Sequence, residues 1–295
     1  MAVYTRLPSS AKAESPAAVV DPYLRARNLR GGPNTALVFT GMWVGKRDSD
    51  GTLTPDPDGQ VTHLKKVVET SGQVDARMLT ALHRRRIEAA RALAERSGRV
   101  AQEVVIRPLW RVVVGHGGDD NYETGLTFSR TYGVPLWPAS GLKGLAAAQA
   151  GDRTEPADTE TLVRLFGSPR AMSPDHEPDQ DSEREAEQGG VIVLDALPET
   201  PPKLVIDVLT PHQVQYYKEV NDPQKDVVKT PPAEYHSPVP VRFLAVGATP
   251  FRTVLIGDEA DVDEFRAYLK SGLDDRGLGG KTAAGYGYCE LENPS

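Results

Sequence analysis

The sequence predicts an α+β protein with an antiparallel sheet and helices on one face. The chain of 295 residues is 39% hydrophobic and 25% charged, which is typical of a globular protein. Residues 74–98 carry apolar side chains at helical spacing and end in Ser-Gly, which predicts a long helix. Residues 103–115 and 251–257 are apolar and β-branched, which predicts strands. These helical and strand segments alternate too irregularly for a doubly wound parallel sheet.

The remaining elements follow from the same patterns. Residues 190–197 and 203–210 are predicted to pair as strands across the turn Pro-Glu-Thr-Pro-Pro. Residues 221–240 contain five prolines and are predicted to be a loop. The other predicted elements are strands at 35–44 and 285–292 and helices at 158–167 and 261–273.

Two segments are expected to lie apart from the fold. Residues 1–33 are rich in Pro, Gly and Ala and are predicted to form an extended arm, leaving 34–295 as a single domain. Residues 173–188 carry seven acidic side chains against one arginine, which accounts for −6 of the net charge of −7. A mobile insertion is therefore predicted at 168–189, and deleting 173–188 is expected to leave the melting temperature almost unchanged.

Several classes of protein are excluded by composition. One cysteine excludes an internal disulfide, and the N-terminus lacks the apolar core of a signal peptide. No apolar run approaches membrane-spanning length, so a cytoplasmic protein without membrane contact is expected. Six scattered histidines and one cysteine form no zinc spacing, so neither a metal nor a cofactor is expected.

The first motif is 135-PLWPASGLKGLAAAQ-149, a turn that leads into an alanine-rich helix. Ser140 is predicted to be the N-cap, while Gly141 and Gly144 leave room for a second backbone to approach. Lys143 adds a cation in the first helical turn, where free N–H groups favour an anion. The motif predicts a phosphate site, or alternatively a solvent-facing cap with an incidental lysine.

The second motif is 274-DDRGLGGKTAAGYGYCE-290, with five glycines between Gly277 and Gly287. It is not a nucleotide-binding P-loop, because Asp275 stands where a glycine is required and a strand is predicted to follow. Instead it predicts a glycine loop on which a polyanion can lie, with charge from Arg276 and Lys281. Tyr286 and Tyr288 are either two half-buried side chains or rings that stack on bases.

No complete catalytic set is visible in the sequence. Ser140 and Lys143 match the S-x-x-K of penicillin-binding enzymes, but the S-x-N or Y-x-N element that those enzymes need is missing. His116, His212 and His236 remain candidate general bases for RNA cleavage, although such histidines are more often structural.

With both motifs in place, the chain resembles the RAMP superfamily of CRISPR-associated proteins. Residues 133–144 are similar to the family's G-x-P-x-x-P-x-S-x-x-K-G turn, and 277–287 to its C-terminal glycine loop. One departure is Ala139, which stands where a glycine is usual. Within the family, Asn34 and the stretches 123–135, 207–217 and 238–246 resemble the sixth RAMP subunit of type III-B (Cmr) effector complexes.

The resemblance implies a ferredoxin-like (RRM-like) core elaborated by helical and loop insertions. It also implies a non-catalytic, RNA-binding scaffold subunit that lies near the 3′ end of the guide RNA and caps a filament of backbone subunits. The implied partners are guide CRISPR RNA, other RAMP subunits and the small helical subunit, with target RNA as a further candidate. An endoribonuclease that processes CRISPR transcripts is the alternative. The candidate RNA-binding residues are Arg130, Ser140, Gly141, Lys143, Gly144, Arg276, Gly279, Gly280, Lys281 and Thr282.

A second basic surface is predicted on the long helix, where 83–99 contains six arginines and two glutamates. This pattern is typical of an exposed helix face with local ion pairs. The alternative is a contact with RNA or with an acidic neighbouring subunit.

Overall fold

The structure is a computed structural model that describes residues 2–4, 34–41, 44–47, 53–117, 125–152, 156–168, 187–210, 213–221, 231 and 240–294. Its α-helices are α1 (Thr35–Gly41), α2 (Pro57–Ser71), α3 (Ala76–Arg96), α4 (Ala139–Ala150), α5 (Thr159–Phe166), α6 (Val214–Val220) and α7 (Glu259–Asp275). Its strands are β1 (Ala2–Tyr4), β2 (Val44–Arg47), β3 (Leu53–Pro55), β4 (Val100–Pro108), β5 (Phe128–Ser129), β6 (Val134–Pro135), β7 (Ile192–Val193), β8 (Leu197–Pro198), β9 (Leu204–Leu209), β10 (Val241–Val246), β11 (Phe251–Gly257) and β12 (Cys289–Glu292).

The central sheet is antiparallel and has the order β12–β4–β11–β7, with β8 also paired to β11. Along the chain its elements follow as β4, α4, β7, β11, α7 and β12. This is the βαββαβ arrangement of ferredoxin-like folds, with β9, α6 and β10 inserted before β11. The predicted α+β class with a ferredoxin-like core is confirmed.

Helices cover both faces of this sheet. Because side chains alternate along a strand, β11 directs Val254 and Ile256 towards Ile87 of α3, and Leu255 towards Phe265 of α7. Helices α4 and α7 therefore share one face, as expected, but α3 lies on the other. The expectation that helices cover only one face was wrong for α3.

The position of α4 is fixed by close packing on α7. A Cβ at Gly272 of α7 would lie 3.0 Å from the Leu145 Cγ of α4, so the absence of a side chain there permits the contact. Just before α4, the ring of Trp137 stacks on Phe251 of β11 with centroids 3.8 Å apart. Leu142 and Ala146 of α4 are fully buried. The turn that carries the first motif therefore stands on a rigid core.

The strand predicted at 35–44 was wrong, because its first part is helix α1. Asn34 caps this helix: its side-chain oxygen accepts the N–H of Leu37 at 3.1 Å. Val38 and Phe39 of α1 then pack in the same buried cluster as the sheet. Of the predicted arm at 1–33, only β1 is described, and it pairs antiparallel with β2; the rest lies outside the described residues.

The predicted pairing of 190–197 with 203–210 was also wrong. Strands β7 and β8 pair with β11, whereas β9 pairs with β10. An isolated β-bridge between Val112 and Val246 joins the β9–β10 sheet to the segment after β4. The predicted strands at 103–115 and 285–292 exist but are shorter, as β4 and β12.

The helices predicted at 74–98, 158–167 and 261–273 are confirmed as α3, α5 and α7. Most of the loop predicted at 221–240 lies outside the described residues, as do residues 169–186 of the predicted acidic insertion.

Candidate RNA-binding surface

The N-terminus of α4 is capped differently from the sequence prediction. The N-cap residue is Pro138, and Ser140 is the second helical residue, so the assignment of Ser140 as the cap was wrong. The backbone N–H of Ala139 donates to a carboxylate oxygen of Asp195 at 2.7 Å, and the N–H of Gly141 donates to the Pro138 carbonyl at 2.9 Å. An acidic side chain from the protein itself therefore satisfies part of this helix end.

The outer side of the same turn is open. Ser140, Gly141 and Gly144 are exposed, and a Cβ built on either glycine would meet nothing within 4 Å. A glycine in a helix costs roughly 0.5–1 kcal/mol relative to alanine. The two glycines leave a smooth surface on which another backbone can lie closely.

Lys143 points towards the sheet side of this turn. Its side chain is half-buried, and its Nζ donates to the carbonyl of Val191 at 3.3 Å. Burial lowers the pKa of this ammonium below its ordinary value. The lysine is thus a partly desolvated cation next to the exposed glycines.

The glycine loop is shaped by positive backbone angles. Gly277, Gly279, Gly285 and Gly287 have φ between 74° and 88°. At Gly279 a side chain would also overlap the carbonyl oxygen of Val113, which accepts the N–H of Gly280 at 2.7 Å. Only glycine combines this φ with this contact. The loop is therefore held tightly against the segment that follows β4.

Lys281 is the cation of this loop, and it has a left-handed backbone with φ of 62°. Its Nζ lies 5.3 Å from the centroid of the Phe243 ring, which is a cation–π contact. The ring of His116 meets Phe243 edge-on at 5.1 Å. Burial lowers the pKa of Lys281, and burial together with the Lys281 charge lowers the pKa of His116. Next to Lys281, Thr282 begins a 3₁₀ turn.

The two candidate arginines lie elsewhere. Arg276 donates to the Gln149 side chain at 2.7 Å and forms an ion pair with Asp152, so its charge is compensated within the protein. Arg130 is exposed in the turn between β5 and β6, and its carbonyl accepts the Asn34 side-chain N–H at 2.8 Å.

The candidate residues therefore form separate groups along α4 and the loop. Lys143 lies near the start of α4, and Gln149, which holds Arg276, lies about 9 Å further along its axis. Lys281 lies against β10 through Phe243. Sequence reasoning missed Asp195, because a capping residue more than 50 positions away in the chain leaves no local pattern.

The tyrosines of the second motif serve the core more than the surface. Tyr286 is only 7% exposed, and its hydroxyl donates to Asp207 at 2.5 Å. Burial, followed by this hydrogen bond, raises the pKa of Tyr286. Tyr288 is half-buried. The interpretation of these side chains as partly buried tyrosines is the one that the structure favours.

Of the candidate general bases, His116 lies in this region, whereas His212 and His236 lie outside the described residues. Among the described residues there is no group of three or more His, Cys, Asp or Glu that would hold a metal ion. None of the helices in the described ranges is both long and apolar enough to cross a membrane.

A family model for the RAMP superfamily matches residues 105–290, a span that contains both motifs and runs from within β4 to within β12. The chain belongs to the RAMP superfamily. It is 28% identical over 225 residues to the CRISPR system Cmr subunit Cmr6 of Pyrococcus furiosus. That match covers 60% of this chain and 64% of the relative, which is just under two thirds of the relative's length.

The fold is also similar to a chain in the cryo-EM structure of the type III-B Cmr-beta complex bound to cognate target RNA. The TM-score is 0.56 with 21% identity, over 80% of this chain and 74% of the other. At this level of identity the likeness supports the fold.

Proposed function

We propose that this RAMP protein is a non-catalytic, RNA-binding scaffold subunit of a type III-B CRISPR effector complex. In this proposal it binds guide RNA near the 3′ end and caps the filament of backbone subunits. The observation that carries the proposal is the 28% identity with Cmr6 over 225 residues. The proposed partners are the other RAMP subunits, the small helical subunit, guide RNA and target RNA.

The geometry supports a contact with the RNA backbone. A glycine loop with Lys281 and a helix start with exposed Ser140, Gly141 and Gly144 both leave backbone surface open. Such surfaces suit phosphates, which carry charge but no sequence information. Lys281 and Lys143 supply cations, and Arg130 extends the exposed charge. Arg276 is a weaker candidate, because Asp152 already neutralises it.

We further propose that 34–295 is one domain. Phe39 of α1 and Leu64 of α2 belong to the same buried cluster as Leu255 of β11 and Phe265 of α7. A shared core is the physical mark of one domain.

The assembly test is co-expression of the chain with every other subunit of its gene cluster, followed by native mass spectrometry. We expect it to co-purify within a complex that contains guide RNA. A complex that assembles fully around guide RNA without this chain would contradict the scaffold role.

The RNA contact is tested with the double variant Lys143→Ala, Lys281→Ala. Loss of two phosphate contacts is expected to make the slope of log affinity against log salt shallower by roughly 1.4, at about 0.7 per contact on a single strand. The measurement is guide-RNA binding at several salt concentrations, with circular dichroism as the folding check. The matched control is Lys270→Ala, which removes an exposed lysine from α7. Unchanged affinity and slope in a folded double variant would contradict the phosphate contact.

Incubating the purified chain with repeat RNA in the presence of a chelator distinguishes the endoribonuclease alternative from the non-catalytic scaffold role. Site-specific cleavage that is lost in His116→Ala, His212→Ala or His236→Ala would refute the non-catalytic role. Under the proposal the RNA stays intact.

A further inference from the structure

A short ledge of three residues, Leu109, Trp110 and Arg111, follows β4 and is fixed at both ends. The Leu109 N–H donates to the Tyr288 carbonyl at 2.9 Å, and the Arg111 carbonyl accepts the N–H of Gly287 at 2.8 Å. Immediately after the ledge, Val112 exchanges two 2.9 Å hydrogen bonds with Val246. The ledge is therefore part of the rigid framework.

Two large apolar side chains of this ledge lie in solvent. Leu109 is 61% exposed and Trp110 is 48% exposed. An exposed indole on a rigid backbone loses little conformational entropy on binding, which is why tryptophan is enriched at interaction sites. The ledge has the properties of a binding surface.

The indole is held in place by its neighbours. The Tyr286 ring lies 5.0 Å from the Trp110 ring, tilted by 44°, and the Arg111 guanidinium lies 4.6 Å from the indole centroid. Arg111 forms an ion pair with Asp207, which also accepts the Tyr286 hydroxyl. Burial alone would raise the pKa of Asp207, but hydrogen bonds from Tyr286, the Val208 N–H and Arg111 outweigh it and lower the pKa. The Asp207 carboxylate therefore stays ionised, and it holds the Arg111 guanidinium and the Tyr286 ring next to the indole of Trp110.

The ledge is continuous with the glycine loop. The N–H of Gly287 donates a hydrogen bond to the Arg111 carbonyl, and the N–H of Gly280 donates to the Val113 carbonyl. The loop therefore runs alongside the ledge. The ring of Tyr286 also lies 6.0 Å from Phe243, the ring that Lys281 covers. An exposed aromatic ring is thus connected to a cation on a glycine-rich backbone through two ring–ring contacts and one cation–π contact.

We propose that Trp110 is a stacking platform for an unpaired base of single-stranded RNA whose phosphates lie along the glycine loop. The inference rests on the proposed RNA binding and extends it from phosphates to a base. Single-strand binding surfaces combine an aromatic ring, which stacks on any base, with cations that follow the backbone. The ledge supplies the aromatic ring, and the glycine loop that is hydrogen-bonded along it supplies the bare backbone and Lys281. Lys281 and the bare glycine backbone favour a polyanion over a protein segment at this place.

The test compares two single-stranded probes of about 12 nucleotides, one oligoadenylate and one abasic ribose-phosphate chain of equal charge. In Trp110→Ala, binding of oligoadenylate is expected to weaken by about 5- to 150-fold, whereas binding of the abasic probe and the salt slope stay unchanged. Trp110→Phe keeps a ring and is expected to lose less. It also keeps the test usable if the alanine variant does not fold.

The matched control is Tyr217→Ala, which removes an aromatic ring that is 59% exposed on α6. It is expected to bind both probes as the wild type does. If the wild type binds RNA and both Trp110 variants bind oligoadenylate equally well, the stacking site is refuted while the proposed function stands. If the wild type binds neither probe, both are refuted. If the Trp110 variants lose only assembly with other subunits, the ledge is a protein contact and the stacking site is refuted.

Discussion

At the scale of single residues, two buried histidines of the helical layer are uncharged. His63 of α2 faces the Phe39 carbonyl at 3.3 Å, and burial lowers its pKa from 6.5 to about 4. His83 of α3 faces the Pro198 carbonyl at 2.9 Å, and burial lowers its pKa as well. Both imidazoles are kept neutral in the folded protein, because a buried cation would be poorly solvated.

The first prediction concerns His63. Its folded pKa is lower than its unfolded pKa, so between pH 6.5 and about 4 the unfolded chain binds the proton first and stability falls as the pH falls. The loss amounts to roughly 3 kcal/mol across this range, at about 1.4 kcal/mol per unit of pKa shift. In His63→Gln, which does not titrate, this part of the pH dependence is expected to disappear.

The measurement is urea unfolding of wild type and variant at several pH values from 7 to 4. The difference in unfolding free energy between the two proteins isolates His63 from the other titrating groups. A difference that does not change with pH would mean that His63 has the same pKa in the folded and unfolded states, and it would contradict the burial effect.

At the scale of elements, α3 covers one face of the central sheet. RNA-binding sheets of this topology use the open face of the sheet for base stacking. Here Ile87 and Ala90 of α3 pack against Val254 and Ile256 of that face. The open platform is therefore absent within the described sheet, and the candidate surface lies instead on the loops beyond the strand ends.

The second prediction separates two neighbouring arginines of α3. Arg85 is exposed, whereas the half-buried Arg86 donates to the backbone carbonyl of Asp195, the residue whose carboxylate caps α4. Arg86→Ala is expected to cost about 1–2 kcal/mol, because it removes a charged hydrogen bond that links the two elements. The matched change Arg85→Ala is expected to stay within about 0.5 kcal/mol.

Urea unfolding measures the free energy of unfolding of the two variants, and the comparison holds when both show the same dependence on urea concentration. Equal stabilities would mean that Arg86 is only part of the solvated helix face, like its neighbour Arg84, which lies 3.9 Å from Glu88. Because Arg86 donates this hydrogen bond, replacing Arg84, Arg85 and Arg86 together would combine a loss of stability with any loss of contact to RNA or a neighbouring subunit.

Elements with strong local patterns could be predicted from the sequence, and those set by distant partners could not. Helix α3 has both a helical period and an N-cap, Asp75, so its pattern was sufficient. By contrast, 35–41 is apolar and β-branched, and it becomes a helix because Asn34 caps it and the sheet buries Phe39. Strands β7 and β8 precede β9 across a turn, yet they pair with β11 while β9 pairs with β10, since the ferredoxin-like order overrides adjacency.

The same distinction applies to the candidate site. Glycines with positive φ leave a clear signal, so the loop at 277–287 could be located from the sequence. The role of Asp195 at the start of α4 and the exposure of Trp110 depend on chain segments that are far apart. Trp110 lies within an apolar run that predicts a strand interior, and only the chain's departure from β4 at Pro108 exposes it.

At the scale of the whole molecule, the charge is concentrated in one stretch of the chain. Residues 173–188 carry −6 of the total of −7, which leaves the rest of the protein close to neutral. The two ends of the insertion predicted at 168–189 are held together: the Ser168 N–H donates to the Glu187 carbonyl at 3.0 Å, and Gly167 forms a β-bridge with Gln188. Deleting 173–188 as a block would remove Glu187 and Gln188 from these contacts, so a shorter deletion is the cleaner experiment.

The third prediction is that deleting 173–184 leaves the fold intact and stabilises it slightly. The segment holds few apolar residues, so little apolar surface is expected to be lost. Shortening the stretch between Ser168 and Glu187 from about 18 residues to about 6 lowers the entropy cost of loop closure by roughly 1 kcal/mol. The deletion also removes five acidic side chains and Arg184, which raises the net charge from −7 to about −3 and reduces self-repulsion.

Urea unfolding and the melting temperature at low and high salt measure both effects, and the gain in stability is expected to be larger at low salt. A loss of more than about 2 kcal/mol would show that the segment packs on the domain, because only buried contacts cost that much.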